Sequence, residues 1–216
     1  IRCDAIMTSD AAEMIFNDQE TCVVIAEIGV NHDGDVEVAK SLALSAISCG
    51  ADIVKFQIFD SDEEISSQAE MTDYQRNNTK LDVSQLQMAK SLELSLEEQR
   101  SLADFCIKNE IPYLYSVFDE KSLDFAISNL GADVIKVPSG DITNYPLLRK
   151  IARSGVDIII SSGCCFDYEI EDALGYVRSE MIAPDRQKIM LFQCISEYPA
   201  PFEESNLRTL SYFKDN

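Results

Sequence analysis

A chain of 216 residues can build one sizeable core or at most two small ones, and the pattern below reads as a single domain. With 46% hydrophobic and 26% charged residues it has the make-up of an ordinary globular protein, and its apolar runs are far too short to cross a bilayer. The formal charge of −20 argues against nucleic acid or an anionic membrane as partner, because the mean field repels both, so any anionic substrate needs local cations to receive it.

Taken in chain order, short apolar runs alternate with helical patterns. Strands are predicted at Val23 to Ile28, Asp52 to Ile58, Pro112 to Phe118, Asp133 to Pro138, Asp157 to Ser162 and Lys188 to Cys194. After the first strand, Val36, Ala39, Leu42, Ala43, Ala46 and Ile47 make a helical stripe that stops at Gly50. After the second comes a long polar excursion, residues 60–83, rich in Ser, Gln, Asn and Asp; its length and polarity read as a lid or binding loop. Ser95 with Glu98 forms a capping box for a helix running to about Asn109. Asp119 starts a helix that ends at Gly131, Pro146 sits in the first turn of one that stops at Gly155, and Asp167 starts another carrying Ile170, Ala173, Leu174 and Val177. Six βα units with almost no hairpin signals imply a parallel sheet covered by helices, either an open doubly wound sheet or part of a (β/α)₈ barrel. Polar residues near the C-terminal ends of several strands favour the barrel, which builds its active site there.

Seven cysteines without a CxxC pair, with Cys22, Cys49, Cys106 and Cys194 in strands and helices, read as small buried hydrophobes in a reducing cytoplasm. The sole histidine, His32, cannot make a recognisable metal site with scattered acids, and no nucleophile elbow or GxGxxG loop is present.

Alternation puts Glu27 with Val23 and Ile25, Lys55 and Gln57 with Ile53, and Lys136 with Val134, each set on one strand face. If those faces point inward, a carboxylate, two ammonium groups and an amide converge at one rim. Lysines inside apolar strands need an anionic ligand or a carboxylate, so either a small phosphorylated or carboxylated substrate holds them, or Lys55 pairs with Glu27 and Lys136 with Asp141 as structural ion pairs. Ser116, Ser139 and Ser161 follow three of the strands and could donate to the same anion, although serines at such junctions also cap helices, the default for Ser139 and Ser162.

The segment Ile25 to Gly34, IAEIGVNHDG, closely resembles the opening motif of the N-acylneuraminate (sialic acid) synthase family. The resemblance continues through Gly50 to Gln57, Ser84 to Ser95, Lys136 to Asp141 with Thr143 to Pro146, Ser161 to Gly163, and Cys194 to Pro201. It implies a TIM-type barrel of which this chain holds about six βα units, with the remaining units and a small antifreeze-like domain expected beyond Asn216. The implied reaction condenses phosphoenolpyruvate with an open-chain N-acylated amino sugar, giving a nine-carbon 3-deoxy-2-keto acid and phosphate. A divalent cation, typically manganese, is implied, with its histidine ligands beyond Asn216, as are a cytoplasmic location and a homodimer of the full-length protein. Carried over by position, Lys55, Ser116, Lys136, Ser139 and Ser161 are expected to hold phosphoenolpyruvate, while Gln57, Phe118 and Tyr198 line the acceptor sugar. Glu27 and Asp141 are the expected catalytic carboxylates, one acting on a sugar hydroxyl and the other on the incoming water. Val117 and the Cys164-Cys165 pair depart from the family pattern. Two other readings stay open: a class I aldolase with Lys55 or Lys136 as Schiff-base lysine, and a non-catalytic sugar-phosphate binding module.

Overall fold

The computed structural model describes residues 7–17, 22–72, 75–76, 83–197 and 199–215. Six parallel strands, β1 (Ile25–Gly29), β2 (Ile53–Ile58), β3 (Tyr113–Val117), β4 (Val134–Val137), β5 (Asp157–Ser161) and β6 (Ile189–Phe192), lie in sequence order, so every crossover joins neighbours, as in a (β/α) barrel. The sheet is a partial TIM barrel whose end strands are β1 and β6.

Between the strands run α2 (Val36–Ser48), α5 (Leu96–Lys108), α6 (Glu120–Leu130), α7 (Tyr145–Ser154) and α8 (Asp167–Glu180). The predicted punctuation is in place. Ser95 and Glu98 cap α5 reciprocally, the Asp119 carboxylate accepts from Ser122 N–H at 2.8 Å, and Gly131 (φ +68°) and Gly155 (φ +85°) end α6 and α7 in the left-handed region. Four helices escape the sequence reading. Helix α3 (Ser61–Glu64) opens the 60–83 excursion, of which residues 73–74 and 77–82 lie outside the described residues; α4 (Gln85–Leu92) follows it under a second capping box, Ser84 with Gln87. Helix α1 (Met7–Asn17) precedes the sheet, and α9 (Thr209–Asp215) follows β6 after a loop.

Strand alternation sorts the side chains into two cores. Outward-facing Val54, Phe56, Tyr113, Tyr115, Ile135, Val137, Ile158 and Ile160 are buried beneath the helices against Ala39, Leu102, Leu123, Leu148 and Val177. Each large side chain so buried contributes about 1.5–3 kcal/mol relative to exposure, which keeps the helices on that face. Inward-facing Ile53, Leu114, Val134 and Ile159 form a smaller apolar layer, closed by Ala11 and Ile15 of α1. This helix therefore plugs the N-terminal end of the sheet and leaves only the opposite end open for polar chemistry.

The cysteine expectation needs correction. Among the described cysteines only Cys106 is buried; Cys22 and Cys49 are exposed, and Cys165 and Cys194 are partly accessible. Cys22 precedes β1, Cys49 is the cap residue after α2 and Cys194 lies past β6, so all three sit at element ends, where the covering layer stops.

Candidate active site

The inner face changes character within one strand step. Above the apolar layer, Glu27, Lys55, Gln57, Ser116, Lys136 and Ser161 occupy the next inward positions, where Glu27 is the register partner of Lys55, Gln57 of Ser116, and Ser116 of Lys136. Parallel pairing thus sets Gln57, Ser116 and Lys136 of three adjacent strands at one level, with the Glu27 and Lys55 pair one inward step below them, opposite Leu114.

Lys55 is buried, ion-paired to Glu27, and donates to Ser116 Oγ at 2.8 Å. Burial pulls its ammonium below the ordinary lysine range, against the attraction of Glu27. The Glu27 carboxylate is about half exposed and bends over Gly29, where it lies beside the Gln57 amide: a Cβ added at Gly29 would meet Glu27 Oε1 at 3.2 Å and Gln57 Nε2 at 3.3 Å. The expected structural pair Lys55 with Glu27 is therefore real.

The second expected pair is not. Lys136 makes no ion pair or hydrogen bond among the described residues, and Asp141, in the short 3₁₀ turn after β4, accepts instead from Asn144 at 3.1 Å. Burial first, and the Lys55 charge second, push the Lys136 ammonium down to about 8, while burial raises the Asp141 carboxyl. Two ammonium groups, one without a partner, are left facing the same space. An added negative charge would relieve both the desolvation and the mutual repulsion, so the arrangement suits an anion.

Neither Ser139 nor Ser162 caps a helix, contrary to the default reading. Ser139 Oγ accepts from Gly163 N–H at 2.9 Å, and Ser162 Oγ donates to the Phe192 carbonyl at 2.8 Å. Ser116 and Ser139 both accept from protein donors, Lys55 and Gly163, so each hydroxyl keeps its O–H to donate. Gly163 carries no side chain for a steric reason: a Cβ there would collide with Ser196 Oγ and stand 2.8 Å from Ser139 Oγ. Gly163→Ala is expected to push these hydroxyls apart, cost about 1–3 kcal/mol of stability and weaken phosphate binding; denaturant midpoints and calorimetry with inorganic phosphate check it.

Gly163 and Ser196 were not singled out from sequence; only the close approach of the loops after β5 and β6 reveals them. Ser161, buried at the end of β5, faces the same side as Ile159. Phe118 stands edge-on to Phe59 and lines a separate cavity of about 440 Å³ with Asp119, Lys121 and Asn144, beside Asp141 rather than among the lysines. Tyr198 lies outside the described residues.

The side of the rim near Asp141 is acidic. Desolvation, then the charges of Asp141, Asp119 and Glu93, push the Glu64 carboxyl up to about 7. Since Glu64 is an exposed residue, water limits the first cause, and crowding by like charges is the firmer one. His32 is buried; its Nδ1 accepts from Gly34 N–H at 3.1 Å, and the ring also hydrogen-bonds the Gly29 backbone. Burial lowers its basicity, so a neutral ring holds the 29–34 loop closed beneath Glu27. No group of three His, Cys, Asp or Glu among the described residues is arranged to hold a metal ion.

Comparison with known proteins agrees with this fold. The sequence profile of the NeuB family matches residues 42–216. N,N'-diacetyllegionaminic acid synthase of Campylobacter jejuni is 44% identical over 193 residues, which are 89% of this chain and 57% of that protein. The synthase of the same name from Legionella pneumophila is 39% identical, covering 90% of this chain and 54% of its own length. The crystal structure of N-acetylneuraminic acid (sialic acid) synthetase from Leptospira borgpetersenii in complex with citrate matches with a TM-score of 0.75 at 26% identity, over 89% of this chain and 60% of that one. The chain spans little more than half the length of the first two relatives.

Proposed function

The chain belongs to the NeuB family, and on that premise we propose that it forms the phosphoenolpyruvate-binding part of a synthase that joins phosphoenolpyruvate to an N-acylated amino sugar. The single observation that carries the reading is Lys136, a partly buried ammonium without a partner among the described residues, facing the same space as Lys55. A small ligand with a phosphate and a carboxylate supplies the missing charge at two points.

In this reading Lys55, Lys136 and the free O–H groups of Ser116, Ser139 and Ser161 grip the phosphate and carboxylate and fix the orientation of the enol carbon. That carbon attacks the aldehyde carbon of the open-chain sugar, and the aldehyde oxygen takes up a proton. Water adds to the cationic C2, giving up its proton, and phosphate leaves by C–O cleavage. Gln57 and Phe118, with Tyr198, are proposed to face the acceptor. Glu27, half exposed and anchored by Lys55, is proposed to orient a sugar hydroxyl; Asp141, whose proton affinity is raised, is the candidate to accept the proton of the water. The divalent cation that the family resemblance implies does not fit the described residues on their own, because His32 is spent on backbone hydrogen bonds. We propose that its ligands, the last βα units and the small C-terminal domain follow Asn216 in the full-length protein, which works as a cytoplasmic homodimer. No helix among the described residues is long and apolar enough to cross a membrane.

The test is phosphate release by the full-length protein with phosphoenolpyruvate, manganese and a panel of acceptors: N-acetylmannosamine, its 6-phosphate and dideoxy diamino sugars. Release that needs both substrates is expected; tight phosphoenolpyruvate binding without release from any pair would favour a binding module. The basicity of Lys136, about 8, also suits a Schiff-base lysine, and borohydride trapping with pyruvate separates that reading, since the synthase forms no adduct. The affinity for phosphoenolpyruvate should fall as pH rises through about 8, where empty-site Lys136 gives up its proton, and binding near that pH should take up a proton from buffer. Calorimetry in two buffers of different ionisation enthalpy measures both.

A further inference from the structure

Two glutamines are buried among the described residues, and they are partnered differently. Gln187, just before β6, donates to the carbonyls of Ala152 (2.9 Å) and Val156 (3.2 Å) and accepts from Ala183 N–H at 2.9 Å, which ties α7 to β5 at the plugged end of the sheet. Gln99, in the first turn of α5, touches the open end instead. Its Nε2 donates to the Gln57 carbonyl at 3.0 Å, while its Oε1 is buried and finds no hydrogen-bond partner among the described residues. An orphan buried acceptor costs stability, so the contribution of this side chain lies in its donor.

The donor is needed because β1 stops short. Ile53 N–H donates to the Val24 carbonyl and Val54 N–H to that of Pro112, so alternation turns the backbone groups of Ile53, Lys55 and Gln57 towards β1. The β1 register shifts between Glu27 and Gly29, where Gly29 takes φ +52°, and beyond that point the chain folds back, with Asn31 N–H donating to the Ile28 carbonyl at 3.0 Å. The Gln57 carbonyl therefore lies past the last paired residue of β1, and the Gln99 amide takes the place of the missing strand. The same irregularity brings the side chains of Glu27 and Gln57 together over Gly29.

We propose that Gln99 is a positioning residue that holds Gln57 in place for the acceptor sugar. By fixing the Gln57 carbonyl it fixes the peptide from which the Gln57 amide reaches over Gly29 to the side of Glu27. Without that bond the end of β2 is held only on its β3 side, and a turn of the Gln57 peptide swings its side chain away from Glu27. Lys55, two residues earlier, keeps its own contacts with Glu27 and Ser116, so the phosphoenolpyruvate side is spared. The kinetic role rests on the acceptor-facing place proposed for Gln57; the hydrogen bond does not.

The experiment uses the full-length protein and three variants. Gln99→Met keeps the shape, loses the donor and also removes the orphan acceptor, so its melting temperature should change little. Its kcat/KM for the acceptor should fall about tenfold to a hundredfold, with phosphoenolpyruvate affinity by calorimetry unchanged. Gln99→Glu should match the parent at low pH, where a buried carboxylic acid donates to the Gln57 carbonyl, and Gln99→Met at high pH, where a carboxylate faces that carbonyl. Gln187→Met strands two carbonyls at the plugged end, so it should melt lower and keep the acceptor kcat/KM. Gln57-Ile58 is the only Gln-Ile step in the sequence, so labelling glutamine carbonyl carbons and isoleucine amide nitrogens isolates this carbonyl by NMR; its resonance should move upfield in Gln99→Met. A carbonyl that does not move, or acceptor kinetics equal to the parent's at every pH, would overturn the proposal. So would equal losses for both substrates, the mark of a collapsed site. A parent that releases no phosphate with any acceptor would sink the synthase reading and the kinetic role with it, while a shifted carbonyl in Gln99→Met would leave the hydrogen bond standing.

Discussion

Lys55→Ala should weaken phosphoenolpyruvate binding by roughly a hundredfold or more. The ammonium is buried, so its bonds to an anion are poorly screened, and truncating one partner of a desolvated, hydrogen-bonded charge pair costs about 2–5 kcal/mol. The variant also frees Ser116 Oγ, which loses the donor that now orients it, and releases Glu27 from its anchor. Glu27 is half exposed and regains water on release, so the fold should suffer less than the affinity. Lys40→Ala is the control: Lys40 pairs with Glu37 of α2 and donates to Ser101 of α5, in the helix layer and away from the inner face of the sheet. Titration calorimetry on both variants checks the contrast, and an unchanged affinity in Lys55→Ala would remove that residue from the site.

Lys136→Met should do opposite things to stability and to binding. Relative to the ordinary lysine value of 10.5, a native value of about 8 corresponds to about 3 kcal/mol at most of disfavoured charge, at 1.36 kcal/mol per unit. Below about 8 the residue is protonated in both folded and unfolded chains, and the native state bears that whole cost. Between about 8 and 10.5 the native state has lost the proton while the unfolded chain keeps it, so stability recovers as pH rises. Methionine has a similar shape and no charge. The variant should therefore melt several degrees above the parent at pH 7, and the gap should narrow towards pH 10. Its phosphoenolpyruvate affinity should drop at pH 7 in the same preparation. A variant that is less stable at neutral pH would mean that Lys136 has found a partner and is not a receptor for anions.

Much of this was readable in the residues. Lys55 and Lys136 stood out because strands of otherwise apolar residues have no use for ammonium groups, and period-two alternation put them on the same face as Glu27, Gln57 and the apolar Ile53 and Val134. The caps at Asp119, Ser95, Gly131 and Gly155 were legible because each answers a local need of a helix end. What escaped was short or contingent on distant parts of the chain. The eight residues of α4 make too brief a stripe to be recognised by period, and α1 earns its burial only by meeting the inner residues of β2 to β5. In sequence Ser139 reads as a cap, because nothing local says that Gly163, 24 residues on, will place its N–H against the hydroxyl. The pairing of Lys136 with Asp141 failed for the same reason: sequence proximity favoured it, and the 3₁₀ turn hands the carboxylate to Asn144 instead.

By itself the sequence determined the alternation of strands and helices, the face on which each polar strand residue lies and the chemistry those residues can offer, because these depend on backbone periods a few residues long. The tertiary structure decided which end of the sheet is plugged, that Lys55 finds a carboxylate while Lys136 finds none among the described residues, and that Gly163 meets Ser139 and Ser196. Those outcomes depend on the register between strands and on the approach of loops far apart in the chain, and no local period encodes them.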